Sequence, residues 1–177
     1  MIKIKTFVLG LLRTNCYLVY DEAAKTGFLI DPGTFDKRIA SEIERNGIRI
    51  KNIINTHAHP DHTSGNAEFG YPVLIHEAAG GMLKNGDIIR DAGIALEILH
   101  TPGHTPESIS IRMGNKIFTG DTLFRDGVGR TDLPGGNESE LLNSLKFLMS
   151  LEDDLEILPG HGPGSTIGDE KEACLNL

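Results

Sequence analysis

The sequence predicts an α/β domain built from two related halves that pack face to face. Short apolar strands alternate with helical segments in both halves of the 177 residues. In each half an apolar strand runs into a histidine motif, Asn55-Thr56-His57-Ala58-His59 and His100-Thr101-Pro102-Gly103-His104, and the two motifs are 45 residues apart. No linker or low-complexity stretch divides the chain, so we expect residues 1–177 to form a single domain.

Three strands and a helix begin the first half. Alternation of polar and apolar residues predicts a strand over residues 3–8, and apolar runs predict strands over 16–20 and 27–30. Asp31-Pro32-Gly33 ends the third strand. A helix is predicted over 35–45, because Ile39 and Ile43 share a face and Asn46-Gly47 follows. A strand over 50–55, a short helix over 64–69 and a strand over 72–76 complete this half.

The second half repeats this alternation. A strand is predicted over residues 94–99, and a hairpin over 108–112 and 116–119 turns at Met113-Gly114-Asn115. A helix is predicted over 138–151, with Leu141, Leu142, Leu145 and Leu148 on one broad face. A last short strand over 156–158 leads into Pro159-Gly160-His161-Gly162-Pro163.

Composition excludes several classes of function. The net charge of −8 disfavours a nucleic-acid partner, because phosphate contacts need clustered Lys and Arg. No apolar run approaches the roughly 20 residues that span a membrane, and residues 1–10 alternate instead of forming the apolar block of a signal peptide. Cys16 and Cys174 are too few for a disulfide framework, so we expect reduced thiols and a cytoplasmic location.

Four residues with metal-binding side chains lie within six positions, directly after the strand over 50–55. They are His57, His59, Asp61 and His62. In a strand-end loop His57 and His59 can project the same way, while Asp61 and His62, past Pro60, can turn toward a second point. Imidazole and carboxylate ligands together suit Zn, Fe or Mn.

Three further candidate ligands each follow a predicted strand beside glycine: His104, Asp121 and His161. Seven ligands are too many for one tetrahedral site, so we expect two divalent metal ions. His57, His59 and His104 would hold the first, Asp61, His62 and His161 the second, and Asp121 would bridge them. The remaining histidines, His76 and His100, are interpreted as ordinary core or surface residues.

With these motifs in place, the chain resembles the metallo-β-lactamase superfamily. The resemblance lies in His57-x-His59-x-Asp61-His62, Thr101-Pro102-Gly103-His104-Thr105, Thr119-Gly120-Asp121 and Pro159-Gly160-His161-Gly162-Pro163, and it spans residues 15–170. It implies a four-layer αββα sandwich with the metals at one edge of two facing sheets.

Within that superfamily the chain looks most like the glyoxalase II group. Asp121 stands where true lactamases usually have Cys, and Gly129-Arg130-Thr131-Asp132-Leu133-Pro134-Gly135-Gly136 is similar to short glyoxalase-like hydrolases. The resemblance implies cleavage of a thioester such as S-lactoylglutathione by a metal-bridging hydroxide, with Zn and/or Fe as the metals. It also gives catalytic roles to Asp121, as the bridge, and to Asp61, which would help to orient the hydroxide.

Two departures from the glyoxalase II pattern concern the substrate. Few residues follow His161, so we expect the helical C-terminal extension that contacts glutathione in full-length enzymes to be absent. The family's glutathione-binding Lys and Tyr correspond to Arg130 and Asp132. Arg130 could bind a substrate carboxylate, or it could pair with Asp132 or Asp126 and brace the loop.

Other activities share this resemblance and stay open on the sequence alone. A persulfide dioxygenase-like oxidoreductase would use one Fe(II) held by His57, His104 and Asp121. A lactonase or other ester hydrolase would use all seven ligands on a different small-molecule substrate. The acidic charge disfavours a nuclease of the same superfamily. The oligomeric state is not predicted.

Overall fold

Two mixed β-sheets face each other in the computed structural model, which describes the backbone of residues 1–174 and the side chains of residues 1–171. The first sheet has five strands in chain order: β1 (Ile2–Leu9), β2 (Thr14–Asp21), β3 (Thr26–Ile30), β4 (Arg49–Ile54) and β5 (Val73–Leu74). Strands β1, β2 and β3 pair antiparallel, whereas β3, β4 and β5 pair parallel. The carboxyl ends of β3 and β4 therefore lie side by side.

The second sheet comes from the second half of the chain. Its six strands are β6 (Ile88–Asp91), β7 (Ile94–His100), β8 (Ile109–Met113), β9 (Lys116–Gly120), β12 (Glu156–Pro159) and β13 (Ser165–Thr166), in the spatial order β13-β12-β9-β8-β7-β6. A separate small hairpin joins β10 (Leu123–Phe124) to β11 (Gly127–Val128). Strands β9 and β12 pair parallel, so their carboxyl ends are adjacent.

In the described residues four α-helices and one 3₁₀ turn connect strands, and a fifth helix follows the last strand. The helices are α1 (Lys37–Asn46), α2 (Pro60–Thr63), α3 (Asn66–Phe69), α4 (Glu138–Leu148) and α5 (Ile167–Cys174), and the 3₁₀ turn covers Glu77–Ala79. None of the helices in the described part of the chain combines the length and the apolar character needed to cross a bilayer.

Three apolar clusters define the layers. Between the sheets, residues such as Phe28 and Ile54 pack against Ile98 and Phe118 of the opposite sheet. On the outer face of the first sheet, α1 buries Ile39 and Ile43. On the outer face of the second sheet, α4 buries Leu141, Leu145 and Leu148. The helix–sheet–sheet–helix order confirms the predicted αββα sandwich.

The two long helices follow the prediction except at their ends. Helix α1 begins two residues later than expected, because the Asp36 side chain accepts a hydrogen bond from the Arg38 backbone N–H at 2.7 Å and caps it. Helix α4 ends at Leu148 instead of residue 151. Leu142 was wrongly assigned to the buried face and is 50% exposed, because the other three leucines already form the i, i+4, i+7 stripe.

The predicted helix over residues 64–69 is instead two short helices. The first, α2, begins at Pro60, which suits the first helical position, after His59 in an extended conformation. Asp61 and His62 therefore lie on a helical turn, while His57 and His59 precede it. This change of backbone direction separates two pairs of polar side chains that are adjacent in sequence.

Candidate metal centre

All seven predicted ligands converge at one edge of the sandwich. His57, His59, Asp61 and His62 follow β4 in the first sheet. The remaining three follow strands of the second sheet: His104 after β7, Asp121 after β9 and His161 after β12. Three overlapping groups of these residues have ligand atoms within 4.8 Å of one another. Each group combines residues from both sheets.

The first cluster consists of three imidazoles, His57, His59 and His104. Nδ1 of His59 lies 3.1 Å from Nε2 of His57 and 3.0 Å from Nε2 of His104. His57 and His104 are buried, and His59 is partly exposed. Nitrogens about 2.1 Å from a tetrahedral zinc ion lie about 3.4 Å apart, so the three rings have close to the spacing that one such ion requires.

The second cluster consists of Asp61, His62 and His161. Nε2 of His62 and Nε2 of His161 are 3.3 Å apart. Oδ2 of Asp61 lies 3.5 Å from the first of these nitrogens and 3.3 Å from the second. His62 is fully buried, whereas the other two side chains are about a quarter exposed, at 23% for Asp61 and 27% for His161.

Asp121 lies between the two clusters. Its Oδ1 is 3.3 Å from Nε2 of His62, and its Oδ2 is 3.4 Å from Nε2 of His161 and 3.7 Å from Nε2 of His104. Oδ1 is buried and has no hydrogen-bond partner within the described residues. A buried carboxylate oxygen without a donor is costly unless a cation contacts it.

The outward-facing ring nitrogens indicate which way the lone pairs point. Four of these histidines have Nδ1 within hydrogen-bond distance of an oxygen. Nδ1 of His57 lies 3.1 Å from the Thr56 hydroxyl, and Nδ1 of His62 lies 3.0 Å from the Asp31 carboxylate. Nδ1 of His104 lies 2.8 Å from the Arg130 carbonyl, and Nδ1 of His161 lies 3.0 Å from the Leu12 carbonyl. When Nδ1 donates, Nε2 of a neutral ring presents a lone pair inward. In neutral rings these lone pairs converge on the two clusters, and together with Oδ1 of Asp121 they suit a bound cation.

The electrostatics of the two clusters differ. Burial, followed by the charge of neighbouring His62, lowers the pKa of His57 well below its ordinary value, and burial also lowers the pKa of His59. These rings are therefore neutral, which is the form that binds metals. Burial opposes charge on His62 too, but Asp31 and Asp121 outweigh it and raise the pKa of His62 to about 10. The second cluster thus strongly favours positive charge.

Asp31 supports this site and was not predicted by the sequence analysis. Its buried carboxylate accepts from the Thr56 backbone N–H at 2.8 Å and the Thr56 hydroxyl at 2.7 Å, and it contacts Nδ1 of His62. A carboxylate in this position fixes the orientation of a ligating imidazole. The sequence does contain a signal, a carboxylate directly after a buried strand, but Asp31-Pro32-Gly33 predicts only the end of that strand.

The start of β2 also braces the second cluster. The Thr14 hydroxyl donates to Oδ2 of Asp61 at 3.1 Å, and the Asn15 amide donates to the Pro159 and Gly162 carbonyls at 3.0 and 2.8 Å. These contacts hold the segment that carries His161. The Thr14 contact joins residues 47 positions apart and the Asn15 contacts join residues 144 and 147 positions apart, so no local sequence pattern could reveal them.

Two glycines, Gly160 and Gly33, make room for the residues of the second cluster and Asp121, because glycine has no Cβ. A Cβ at Gly160 would lie 2.2 Å from Oδ1 of Asp121 and 2.8 Å from Cε1 of His62. A Cβ at Gly33 would lie 1.6 Å from the Asp61 carbonyl oxygen. Contacts this short are forbidden, so both positions require glycine for steric reasons.

Arg130 lies at the rim of the centre. Its backbone carbonyl orients His104, and its guanidinium forms two 2.7 Å hydrogen bonds with the carboxylate of Asp132. Both side chains are more than half exposed. Of the two predicted roles for Arg130, the loop-bracing pair with Asp132 is present. His76 and His100 stack on each other, with ring centroids 4.1 Å apart, and belong to none of the three candidate ligand groups.

Comparison with solved structures supports the same fold. ETHE1 from Myxococcus xanthus superimposes with a TM-score of 0.87 and 31% identity, covering 97% of this chain and 82% of that one. TTHA1623 in a di-iron-bound form gives a TM-score of 0.82 and 33% identity, covering 96% of this chain and 98% of that one.

Sequence comparison gives the family. Hydroxyacylglutathione hydrolase GloC of Haemophilus influenzae is 35% identical over 90% of each chain. The family model of the metallo-beta-lactamase superfamily matches residues 9–72 and 70–161, a span that contains all seven candidate ligands. The sandwich, the His/Asp cluster and these matches agree, and the chain belongs to the metallo-beta-lactamase superfamily.

Proposed function

We propose that this protein is a dinuclear metal-dependent hydrolase that cleaves a thioester such as S-lactoylglutathione. The observation that carries the proposal is the pair of three-residue clusters sharing Asp121. A single structural ion would need only four of these ligands. Two divalent ions supply the chemistry of carbonyl hydrolysis, because they lower the pKa of a bound water and stabilise negative charge on the carbonyl oxygen.

The chain's own residues divide the work. His57, His59 and His104 would hold the first ion, and Asp61, His62 and His161 the second. Asp121 would contact both, with its charge maintained because the rings of His161 and His62 outweigh the effect of burial and hold the pKa of Asp121 far below its ordinary value. Asp61 is the more exposed of the two carboxylates, which supports a role for it in orienting the attacking water.

A thioester suits this site chemically. A thiolate leaving group has a pKa near 8.5, so it departs without a strong general acid. The Haemophilus influenzae relative is named as a hydroxyacylglutathione hydrolase, and this supports the same substrate class. The di-iron form of TTHA1623 supports two metals and makes iron a candidate beside zinc and manganese.

Arg130 is our candidate for binding a carboxylate of the substrate. Its guanidinium is 61% exposed at the rim and is held by Asp132, an exposed partner that a substrate carboxylate could displace. Arg130→Ala should raise KM several-fold and leave kcat nearly unchanged. Arg130→Lys keeps the charge and controls for it. Unchanged KM in the Ala variant would leave Arg130 with only its loop-bracing contact.

An iron-dependent oxidoreductase is the second candidate. His57, His104 and Asp121 together form a two-histidine, one-carboxylate set of the kind that binds one Fe(II) with open positions. A single iron ion held in this way leaves four of the seven candidate ligands without a metal to bind: His59, Asp61, His62 and His161. A lactonase or another ester hydrolase would use the same residues on a different carbonyl compound.

One experiment separates these functions. Protein purified without added metal is analysed for its elements and assayed on thioesters, oxygen esters and lactones, with an oxygen electrode running in parallel. We expect two divalent ions per chain and fastest turnover on a thioester. One iron per chain with oxygen consumption would refute the hydrolase.

Asp121→Ala tests the bridge directly. We expect it to lose at least one of the two metals and to reduce thioester hydrolysis by ~100-fold or more, because both ions lose a ligand. Asp126→Ala, which removes an exposed carboxylate from the nearby turn between β10 and β11, is the control. Retention of both metals and near-normal turnover in Asp121→Ala would contradict the dinuclear proposal.

A further inference from the structure

Glu107 is a buried carboxylate outside the seven-residue centre. It lies in the loop between β7 and β8, three residues after His104, and only 8% of its surface is exposed. No motif singled out in the sequence includes it. A buried glutamate is unusual unless a cation or several donors stabilise its charge.

The carboxylate of Glu107 links the two loops that supply the first cluster. Its Oε1 accepts a hydrogen bond from the backbone N–H of Ala58 at 3.1 Å. Ala58 stands between His57 and His59, and His104 belongs to the same loop as Glu107. This contact therefore ties the backbone between two imidazoles to the loop that carries the third.

Neighbouring hydrogen bonds hold this arrangement in place. The Ile109 backbone N–H donates to the Thr56 carbonyl at 2.9 Å. These two residues lie two positions from Glu107 and from Ala58, so this hydrogen bond is next to the Glu107 contact on both segments. On the other side, the Thr105 backbone N–H donates to the Ser108 hydroxyl at 3.1 Å. Glu107 is thus held on a rigid support, as the group that orients a ligand loop must be.

The negative charge of Glu107 has no basic partner within the described part of the chain. Among the residues whose side chains the structure describes, no Lys, Arg or His forms an ion pair with it. The nearby ring of His76 does not supply the charge, because burial and the stacked ring of His100 lower the pKa of His76. A cation held by the first cluster would supply it.

We propose that Glu107 is a positioning residue for the first metal site. It fixes the Ala58 backbone so that three imidazoles converge, and its charge compensates a divalent cation held by three neutral rings. This inference rests on the metal sites of the proposed function but not on which substrate is hydrolysed. It predicts that substitution of Glu107 weakens metal binding at the first site and leaves the second site unchanged.

Two substitutions separate the charge from the hydrogen bond. Glu107→Gln keeps an oxygen that can accept from Ala58 and removes the charge, whereas Glu107→Ala removes both. Glu170→Gln is the matched control, because Glu170 is another buried glutamate that accepts a backbone N–H, from Asp126 at 2.8 Å, and it does not contact the ligands. All three variants are full-length.

Zn²⁺ and Co²⁺ affinities are measured by competition with a chelator in two backgrounds. His161→Ala removes an imidazole from the second cluster and so reports on the first, and His59→Ala reports on the second. In the first background we expect affinity to fall about 10-fold for Glu107→Gln and about 100-fold for Glu107→Ala. In the His59→Ala background we expect both Glu107 variants to keep the metal affinity within about twofold of the parent. We expect the same for Glu170→Gln in either background.

The Co²⁺ absorption spectrum provides a readout that simple destabilisation would not change. We expect Glu107→Ala to shift the bands of the first site, because the geometry of its imidazoles changes, and Glu107→Gln to preserve them. Thermal unfolding of the metal-free proteins shows whether each variant folds. If Glu107→Ala does not fold, the affinity of Glu107→Gln decides alone.

Three results would overturn the inference: unchanged affinity at the first site in both Glu107 variants, an equal loss at both sites, or an equal loss in Glu170→Gln. Thioester hydrolysis by the wild-type protein is measured separately. A wild type that binds two metals and hydrolyses no thioester would refute the proposed function and leave the role of Glu107 intact. Thioester hydrolysis with unchanged first-site affinity in the variants would refute only the role of Glu107.

Discussion

Replacing Asp31 with Ala should destabilise the fold and the second metal site together. Asp31 is 1% exposed, and its carboxylate contacts the Thr56 N–H, the Thr56 hydroxyl and Nδ1 of His62. The hydroxyl can rotate to another acceptor, but the two N–H groups are left buried without one. Each such loss costs about 1–3 kcal/mol, so we expect the free energy of unfolding to fall by about 2–6 kcal/mol.

The measurement is urea unfolding of the metal-free protein followed by far-UV circular dichroism, because the chain has no Trp to report by fluorescence. Asp31→Asn keeps one acceptor oxygen and should cost about 1–2 kcal/mol. We still expect it to weaken the metal affinity of the second cluster about 10- to 100-fold, because the orientation of His62 is lost. A loss of stability below about 1 kcal/mol in Asp31→Ala, with normal metal content, would refute this reasoning.

Three more substitutions test other parts of the structure. Gly160→Ala should leave at most one metal per chain by elemental analysis, because its Cβ would lie 2.2 Å from Oδ1 of Asp121; two metals would contradict this. Asp36→Ala removes the cap of α1 and should cost about 1 kcal/mol in urea unfolding. Hydrogen bonding to the Arg38 side chain lowers the pKa of Asp36. The substitution should therefore cost its full free energy at a pH above the ordinary carboxyl pKa, and less as the pH falls through the lowered pKa of Asp36. Phe118→Ala empties a position between the sheets and should cost about 3–5 kcal/mol by the same assay; a cost below about 1 kcal/mol would contradict the packing.

Short-range patterns in the sequence account for much of the centre. The spacing of His57, His59, Asp61 and His62 in one loop after an apolar strand is a local property, and strand ends are where a sheet presents such loops. The division of these four residues into two pairs is also local, because Pro60 begins a helical turn between them. Placement of the candidate ligands was therefore accessible without a structure.

The supporting residues were not accessible in the same way. Asp31 reaches His62 only because β3 and β4 pair parallel and end side by side, and Glu107 reaches Ala58 only because the two sheets face each other. Short elements such as β10 and β13 were also missed, since two-residue strands have no periodicity to detect. These contacts depend on which strands pair and how the two sheets pack, and the local patterns of a single sequence do not reveal that.

Each metal cluster draws side chains from both sheets. His57 and His59 come from the first sheet and His104 from the second, and the second cluster is divided in the same way. Neither half of the chain supplies all three residues of a cluster, so an ion bound in either cluster would act as a clamp across the sheet–sheet interface. An ion present at 100 times its dissociation constant adds about 2.7 kcal/mol to the stability of the closed sandwich. Loss of metal would therefore weaken the contact between the halves as well as the chemistry, and the two sheets should separate more readily in chelator than in its absence.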